Sequence, residues 1–308
     1  MHVRQVDTAW EVDSPAKLNL YLEVLGRRDD GFHELETLMA PVRLCDHLRW
    51  HPAAGDNPRG FSLGYHPSTL RQLREAVPAD HNNLVWRAAE LLASNAGIQP
   101  TGHFTLTKRI PAQAGLGGGS SNAAAALALA NAAWGLNYPT DRLARLAAQL
   151  GSDVPFFLAG RSAICRGRGE RVEPVSGVPR LDVVIVKPPQ GISTPAAFAT
   201  LNAEEFNSSQ ANRSHSPARH LAEQLQGGKL VAAGRGLFNR LEVVAADLCR
   251  WIARLHDAFN RLDCLGHTMT GSGSAYFGVM RSARQARHAA GLLKSMELGI
   301  VLATATCR

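Results

Sequence analysis

Residues 111–126 read PAQAGLGGGSSNAAAA, with four glycines (Gly115, Gly117, Gly118, Gly119) in five positions and a run of alanines straight after. Glycine costs backbone entropy on folding and brings no side chain to pack. A loop that concentrates it ahead of a strong helix former is built for something to come close to its backbone. GHFTLTKRIP (102–111) before it reads as a strand ending at Pro111, and SSNAAAALALANAAWG (120–135) after it as a helix with Gly135 just past its end. The first amides of a helix lack internal partners and carry the positive end of its dipole, so strand, glycine loop and helix together form a seat for a phosphate chain. Ser120 and Ser121 add hydroxyls for phosphate oxygens or a metal ion. A tight-packing cap would also explain small residues, but a turn needs one or two glycines rather than four. The loop is not a Walker A sequence, because no lysine follows it. It is not a dinucleotide fingerprint either, since Ser120 stands where the last glycine belongs.

The 308 residues are 45% hydrophobic and 19% charged, enough for one large or two medium domains with a sizeable core. No apolar run reaches the roughly 18 residues of a membrane span, and the N-terminus does not read as a signal peptide. The five cysteines (Cys45, Cys165, Cys249, Cys264, Cys307) are scattered and show no C-x-x-C pair, so neither a disulfide framework nor a structural zinc site is expected. A cytoplasmic protein is. The formal charge of +7 is diffuse, densest at CRGRGER (165–171), and no basic run with interleaved aromatics points to nucleic acid.

Along the chain, KLNLYLEVLG (17–26) reads as a strand, RRDDGFHELET (27–37) as a polar loop and LMAPVRLCDHLRW (38–50) as strand again. Helices are expected over 82–97, with Asn82 or Asn83 as cap, and over 140–151, with Thr140 as cap. Residues 151–175 read as a short turn and strand, 180–189 as a buried strand, 202–219 as a mobile surface loop, and 236–255 as helix. Residues 264–280 read as strand, second glycine turn and strand, and a helix follows from 282. The class is α/β or α+β, with a domain boundary near 178.

These pieces resemble the GHMP kinases. The glycine loop is similar to their phosphate-wrapping motif, SPAKLNL (14–20) to their N-terminal motif and TMTGSGSAYFG (268–278) to their C-terminal glycine motif, in the family's order from end to end. The resemblance implies an α+β, two-domain GHMP kinase fold: an N-terminal ATP-binding domain over 1–178, a ferredoxin-like C-terminal substrate-side domain over 179–308, and an active site between them. Further stretches, among them LGRRDDGFHELETLM (25–39), GSDVPFFL (151–158), GRGERVEPV (167–175) and FNRLEVVA (238–245), narrow it. They resemble the branch that moves the γ-phosphoryl of ATP to the 2-hydroxyl of a cytidine-diphosphate-linked methylerythritol. Another GHMP kinase with a different alcohol acceptor is the alternative.

By that resemblance Asp153 is the base toward the hydroxyl and Lys17 its charged partner. On their own they read as a turn aspartate and a strand lysine with its head in water. Lys108, Pro111, Ala112, Gln113, Ala114, Gly115, Leu116, Gly117, Gly118, Gly119, Ser120 and Ser121 would hold ATP, though Lys108 also reads as a surface lysine. Asn19, facing the same side of its strand as Lys17, would bind the erythritol. Phe32, where the family usually has tyrosine, would stack on the cytosine, His33 would bind its edge, and Phe198, which alone reads as core, would cover its other face. Thr270, Gly271, Ser272 and Gly273 would close the substrate side. Magnesium would enter with ATP, Ser121 being a contact, and no protein-held metal is expected. The partners implied are a small-molecule substrate, no nucleic acid and no membrane, for a monomer or weak homodimer.

Overall fold

A computed structural model describes residues 1–53, 60–201 and 216–307. The chain divides into two compact units, one made of Met1–Ala16, Leu44–Ala112 and Gly117–Gly160, the other of Lys17–Arg43, Gln113–Leu116 and Arg161–Arg308. This partition follows contacts rather than chain order, so it is of a different kind from a single linear boundary near 178. No helix among the described residues is long and apolar enough to cross a membrane.

The first unit holds β1 (Arg4–Val6), the start of β2 (Ala9–Arg27), the end of β3 (His33–His51), β4 (Phe61–Tyr65), α1 (Arg71–Ala76), α2 (Leu84–Ala96), β5 (Gly102–Thr107), α3 (Gly118–Ala133), α4 (Thr140–Leu150) and α5 (Val154–Ala159). β3 pairs antiparallel with β5, His47 opposite Thr107, and β5 pairs parallel with β4. Asn83 starts α2 by accepting the Val85 amide at 2.9 Å, and Gly97 ends it in the left-handed region. α3 is buried on nearly every side, from Ser121 to Leu127 and at Leu129 and Ala130, and its alanines let α2 pack closely against it.

The second unit carries β6 (Ala163–Gly167), β7 (Arg171–Pro174), β8 (Asp182–Lys187), α6 (Thr194–Ala199), α7 (Pro217–Gln226), α8 (Leu230–Arg235), β9 (Phe238–Asn239), α9 (Leu241–Leu248), α10 (Arg250–Asn260), β10 (Gly266–Met269), β11 (Tyr276–Met280), α11 (Ala283–Ser295) and β12 (Ile300–Ala305). β10, β11, β8 and β12 lie side by side in that order, antiparallel throughout. With strand, helices, strand, strand, helix, strand along the chain, this is the expected ferredoxin-like pattern. Val184, Val186 and Tyr276 from the sheet meet Leu255 and Phe259 of α10 and Leu293 of α11 in its core.

The structure corrects several sequence expectations. The polar stretch 27–37 is already strand from His33, because Leu35–Met39 pair with Gly167–Ala163 of β6, while Arg166 and Arg171 take up the charges of Glu36 and Glu34. VPFFLA forms α5, not turn and strand; Thr140 is the first residue of α4, behind Pro139 in the cap position. The 102–111 strand stops at Thr107, since the Arg109 and Ile110 amides bond the Asp46 carboxylate at 2.6 and 2.8 Å. The 236–255 helix is β9, α9 and α10, broken at an extended Cys249 so that both Val244 and Ile252 reach the core. The loop read over 202–219 lies outside the described residues up to 215, and from Pro217 the chain is helix.

Candidate active site

In the second unit, Lys17 lies on β2 only 3% exposed. Its ammonium donates to Asn19 Oδ1, and its amide donates to Leu116 O at 2.9 Å. Asn19 donates from Nδ2 to Thr37 Oγ1 at 2.9 Å, and from its backbone to Thr270 Oγ1 at 3.0 Å. So the N-terminal motif, the residues 114–116 of the glycine loop and the C-terminal glycine turn share one place. The Ala275 amide reaches Ala114 O at 3.1 Å, and Thr270 Oγ1 lies 3.5 Å from Gly115 O. Gly115 has φ +70, and a Cβ there would overlap the Thr270 carbonyl. A Cβ on Gly271 would sit 3.0 Å from the Lys17 ammonium. Within the turn, Gly273 donates to Thr270 O at 3.1 Å, and Ser272 shares a 2.7 Å bond with Thr194. Gln113 also takes positive φ, +51, with its side chain against Gly191.

The rest of the glycine loop belongs to the first unit. Pro111 and Ala112 lead into it, and Gly117, at φ +69, caps α3 without any side-chain bond. Gly118, Gly119 and Ser120 therefore open the helix with amides that have no intrahelical partner. Ser121 is fully buried and its hydroxyl has no hydrogen-bond partner among the described residues. Lys108 is not a surface lysine. It is buried in an ion pair with Asp46, whose carboxylate also accepts from Asn122 Nδ2 at 2.9 Å. A Cβ on Gly118 would lie 2.9 Å from the Lys108 ammonium, so the Lys108–Asp46 pair sits directly beneath the start of α3. Asp153 occupies the cap position of α5 but makes no capping bond with its side chain.

In the second unit His33 and Phe198 meet, while Phe32, next to His33 in the chain, lies against Arg168. The His33 ring stacks on Phe198, with centroids 5.1 Å apart and planes at 26°. Phe32 is 48% exposed, with the Arg168 guanidinium 4.9 Å from its ring centre. Burial, aided by the Arg27 charge, holds the His33 pKa below its ordinary value, which keeps the imidazole neutral at pH 7. Among the described residues, no three His, Cys, Asp or Glu side chains cluster as a metal site would.

Sequence reading passed over Asp46, Asn239 and Glu242. Asp46 had one signal, being the single acid in residues 38–51 of β3. Asn239 and Glu242 sat inside the quoted FNRLEVVA without an assigned task.

Residues 83–161 match the model for the GHMP kinases N terminal domain and 221–294 that for the GHMP kinases C terminal. The chain is 38% identical over 89% of its length to 4-diphosphocytidyl-2-C-methyl-D-erythritol kinase of Pelotomaculum thermopropionicum, covering 90% of that protein. To the enzyme of the same name from Variovorax paradoxus it is 36% identical, over 90% of this chain and 89% of that one. A crystal structure of 4-(cytidine 5'-diphospho)-2C-methyl-D-erythritol kinase superposes with a TM-score of 0.78 at 35% identity, covering 97% of this chain and 99% of the other. Homoserine kinase from Cytophaga hutchinsonii, at 17% identity and a TM-score of 0.73 over 99% and 97%, shares the fold.

Proposed function

Because the chain belongs to the family of 4-diphosphocytidyl-2-C-methyl-D-erythritol kinases, we propose that it phosphorylates the 2-hydroxyl of 4-diphosphocytidyl-2-C-methyl-D-erythritol with ATP. The product is the 2-phosphate, and the step serves the non-mevalonate route to isoprenoid precursors. The observation that carries the reading is the joining of Lys17, Asn19, the Gly115 loop and the Thr270 turn in one buried cluster.

The amides of Gly118, Gly119 and Ser120, which lack intrahelical partners, receive the triphosphate, with the Lys108–Asp46 pair behind them. The orphaned Ser121 hydroxyl fits a phosphate oxygen or the magnesium that accompanies ATP, an ion that offsets phosphate charge. The acceptor oxygen bonds to the γ-phosphorus as the bond to the β–γ bridging oxygen breaks, and ADP leaves. Asp153 takes the hydroxyl proton. Its position at the head of α5, in the GSDVPFFL segment shared with the family, supports that role. Lys17, kept in place by Asn19, offsets charge on the phosphoryl group. Phe32 and Phe198 offer faces for the cytosine, and neutral His33 can both donate and accept at its edge. The reading includes a cytoplasmic monomer or weak homodimer. Its two domains part near residue 178, which falls between the matched segments.

The test mixes purified protein, ATP, magnesium and the acceptor, follows ADP release, and locates the new phosphate by 31P NMR. Turnover is expected, and Asp153→Asn should lower kcat by about 10²–10⁴-fold, the usual worth of a positioned general base. ATP binding without turnover, or turnover with homoserine or mevalonate instead, refutes the acceptor assignment.

A further inference from the structure

The Thr270–Gly273 turn is poorly fixed by its own sequence. Gly271 and Gly273 have φ of +57 and +85, conformations glycine enters and leaves at little cost. Two bonds tie the turn to itself: Thr270 N to Ala275 O at 3.0 Å and Gly273 N to Thr270 O at 3.1 Å. Yet the Thr270 hydroxyl must stay where it accepts the Asn19 amide and lies 3.3 Å from the Asn19 Oδ1 that receives the Lys17 ammonium.

Ser272 bonds Thr194 at 2.7 Å and Ser274 donates to Gln190 O at 2.6 Å, and two side chains of β9 and α9 fasten the turn and the strands that flank it from a further direction. Asn239 is buried and donates from Nδ2 to both Met269 O and Gly271 O, at 2.8 Å each. Its Oδ1 accepts the Leu241 amide at 3.0 Å, so the amide group is oriented from behind. Glu242 accepts from Thr268 Oγ1 at 2.6 Å and Met269 N at 3.0 Å through one oxygen, and from the buried Tyr276 hydroxyl at 2.8 Å through the other. The strand entering the turn and the strand leaving it are thus fastened to the four-residue stretch 239–242.

We infer that Asn239 and Glu242 are positioning residues for phosphoryl transfer, holding the Thr270–Gly273 turn in the one placement that sets Asn19 and Lys17. The inference rests on the function proposed above. Misplacing a reacting group by about 1 Å from afar costs roughly 10²-fold in rate, so the effect belongs in kcat and not in ATP affinity.

Asn239→Asp keeps size and the bond from Leu241, but faces two carbonyl oxygens with an acceptor. It should lower kcat by about 10²-fold with KM for ATP within threefold, and amide hydrogen exchange should quicken in 270–275 while the rest of the chain keeps its protection. Glu242→Ala should do the same. Glu242→Gln should stay within about threefold of the parent, because its amide can donate to Tyr276, whose hydroxyl then turns to His267 Nδ1, 3.0 Å away. Three results overturn the inference: kcat of Asn239→Asp within threefold of the parent, a loss carried by KM for ATP, or exchange that rises throughout the chain in step with a fallen Tm. If the parent fails to turn over the acceptor, the proposed function falls by itself, and exchange at 270–275 in Asn239→Asp still decides whether these residues hold the turn.

Discussion

Gly115→Ala tests whether the glycine loop and the Thr270–Gly273 turn are fitted to each other. The substitution has two separable costs. One is backbone: alanine at φ +70 sits in the left-handed region, worth about 1–2 kcal/mol. The other is contact: the new methyl would overlap the Thr270 carbonyl oxygen, with the carbonyl carbon at 3.0 Å and Gly273 N at 3.1 Å, all inside the 3.4 Å where ordinary contact begins. Backbone atoms cannot swing aside as a long side chain can, so this adds about 1–3 kcal/mol of overpacking. Gly97→Ala supplies the control, because Gly97 has φ +68 and open space around its Cβ. Denaturant melts should show a loss of about 1–2 kcal/mol for Gly97→Ala and about 2–5 kcal/mol for Gly115→Ala. Steady-state kinetics should show near-parent kcat for the first and a fall of about 10²-fold for the second, as Thr270 is pushed off Asn19. Equal stability losses in the two variants, or an unchanged kcat in Gly115→Ala, would refute the fit.

Further outcomes follow from the same geometry. Asp46→Asn leaves the Lys108 ammonium buried without its partner charge, so it should cost about 3–5 kcal/mol in a chemical melt, and a loss under 1 kcal/mol would disprove the pair's importance. Phe32→Tyr should keep acceptor KM within threefold, whereas Phe32→Ala should raise it by about 5–100-fold, the worth of one base–aromatic stack; equal KM values across all three chains would remove Phe32 from cytosine binding. His33 has a lowered pKa, so the folded chain holds fewer protons there than the unfolded one just below pH 6.5, and both stability and acceptor affinity should decline as the pH drops through that window. An NMR titration placing the His33 midpoint at or above 6.5 would contradict this.

The sequence by itself determined the local chemistry. Four clustered glycines ahead of alanines specify a helix whose first amides stay open. An asparagine at 82 or 83 and Gly97 bound their helix, and the β-branched run of 182–187 is a buried strand, because capping, φ preference and burial pattern act within a few residues of chain. It did not determine what each charge meets. Lys108 read as a nucleotide contact or else a surface lysine, and neither reading foresaw that β3 brings Asp46 beneath it. His33–Thr37 read as loop until β6 supplied the partner strand. Asn239 and Glu242 lie in the quoted FNRLEVVA, but nothing local gives them a task, since their value lies in carbonyls and amides some 30 residues further on. Hydrogen bonds and ion pairs of that range form only when separate segments are packed against one another. Which polar side chain ends up buried and satisfied was therefore decided by the tertiary structure.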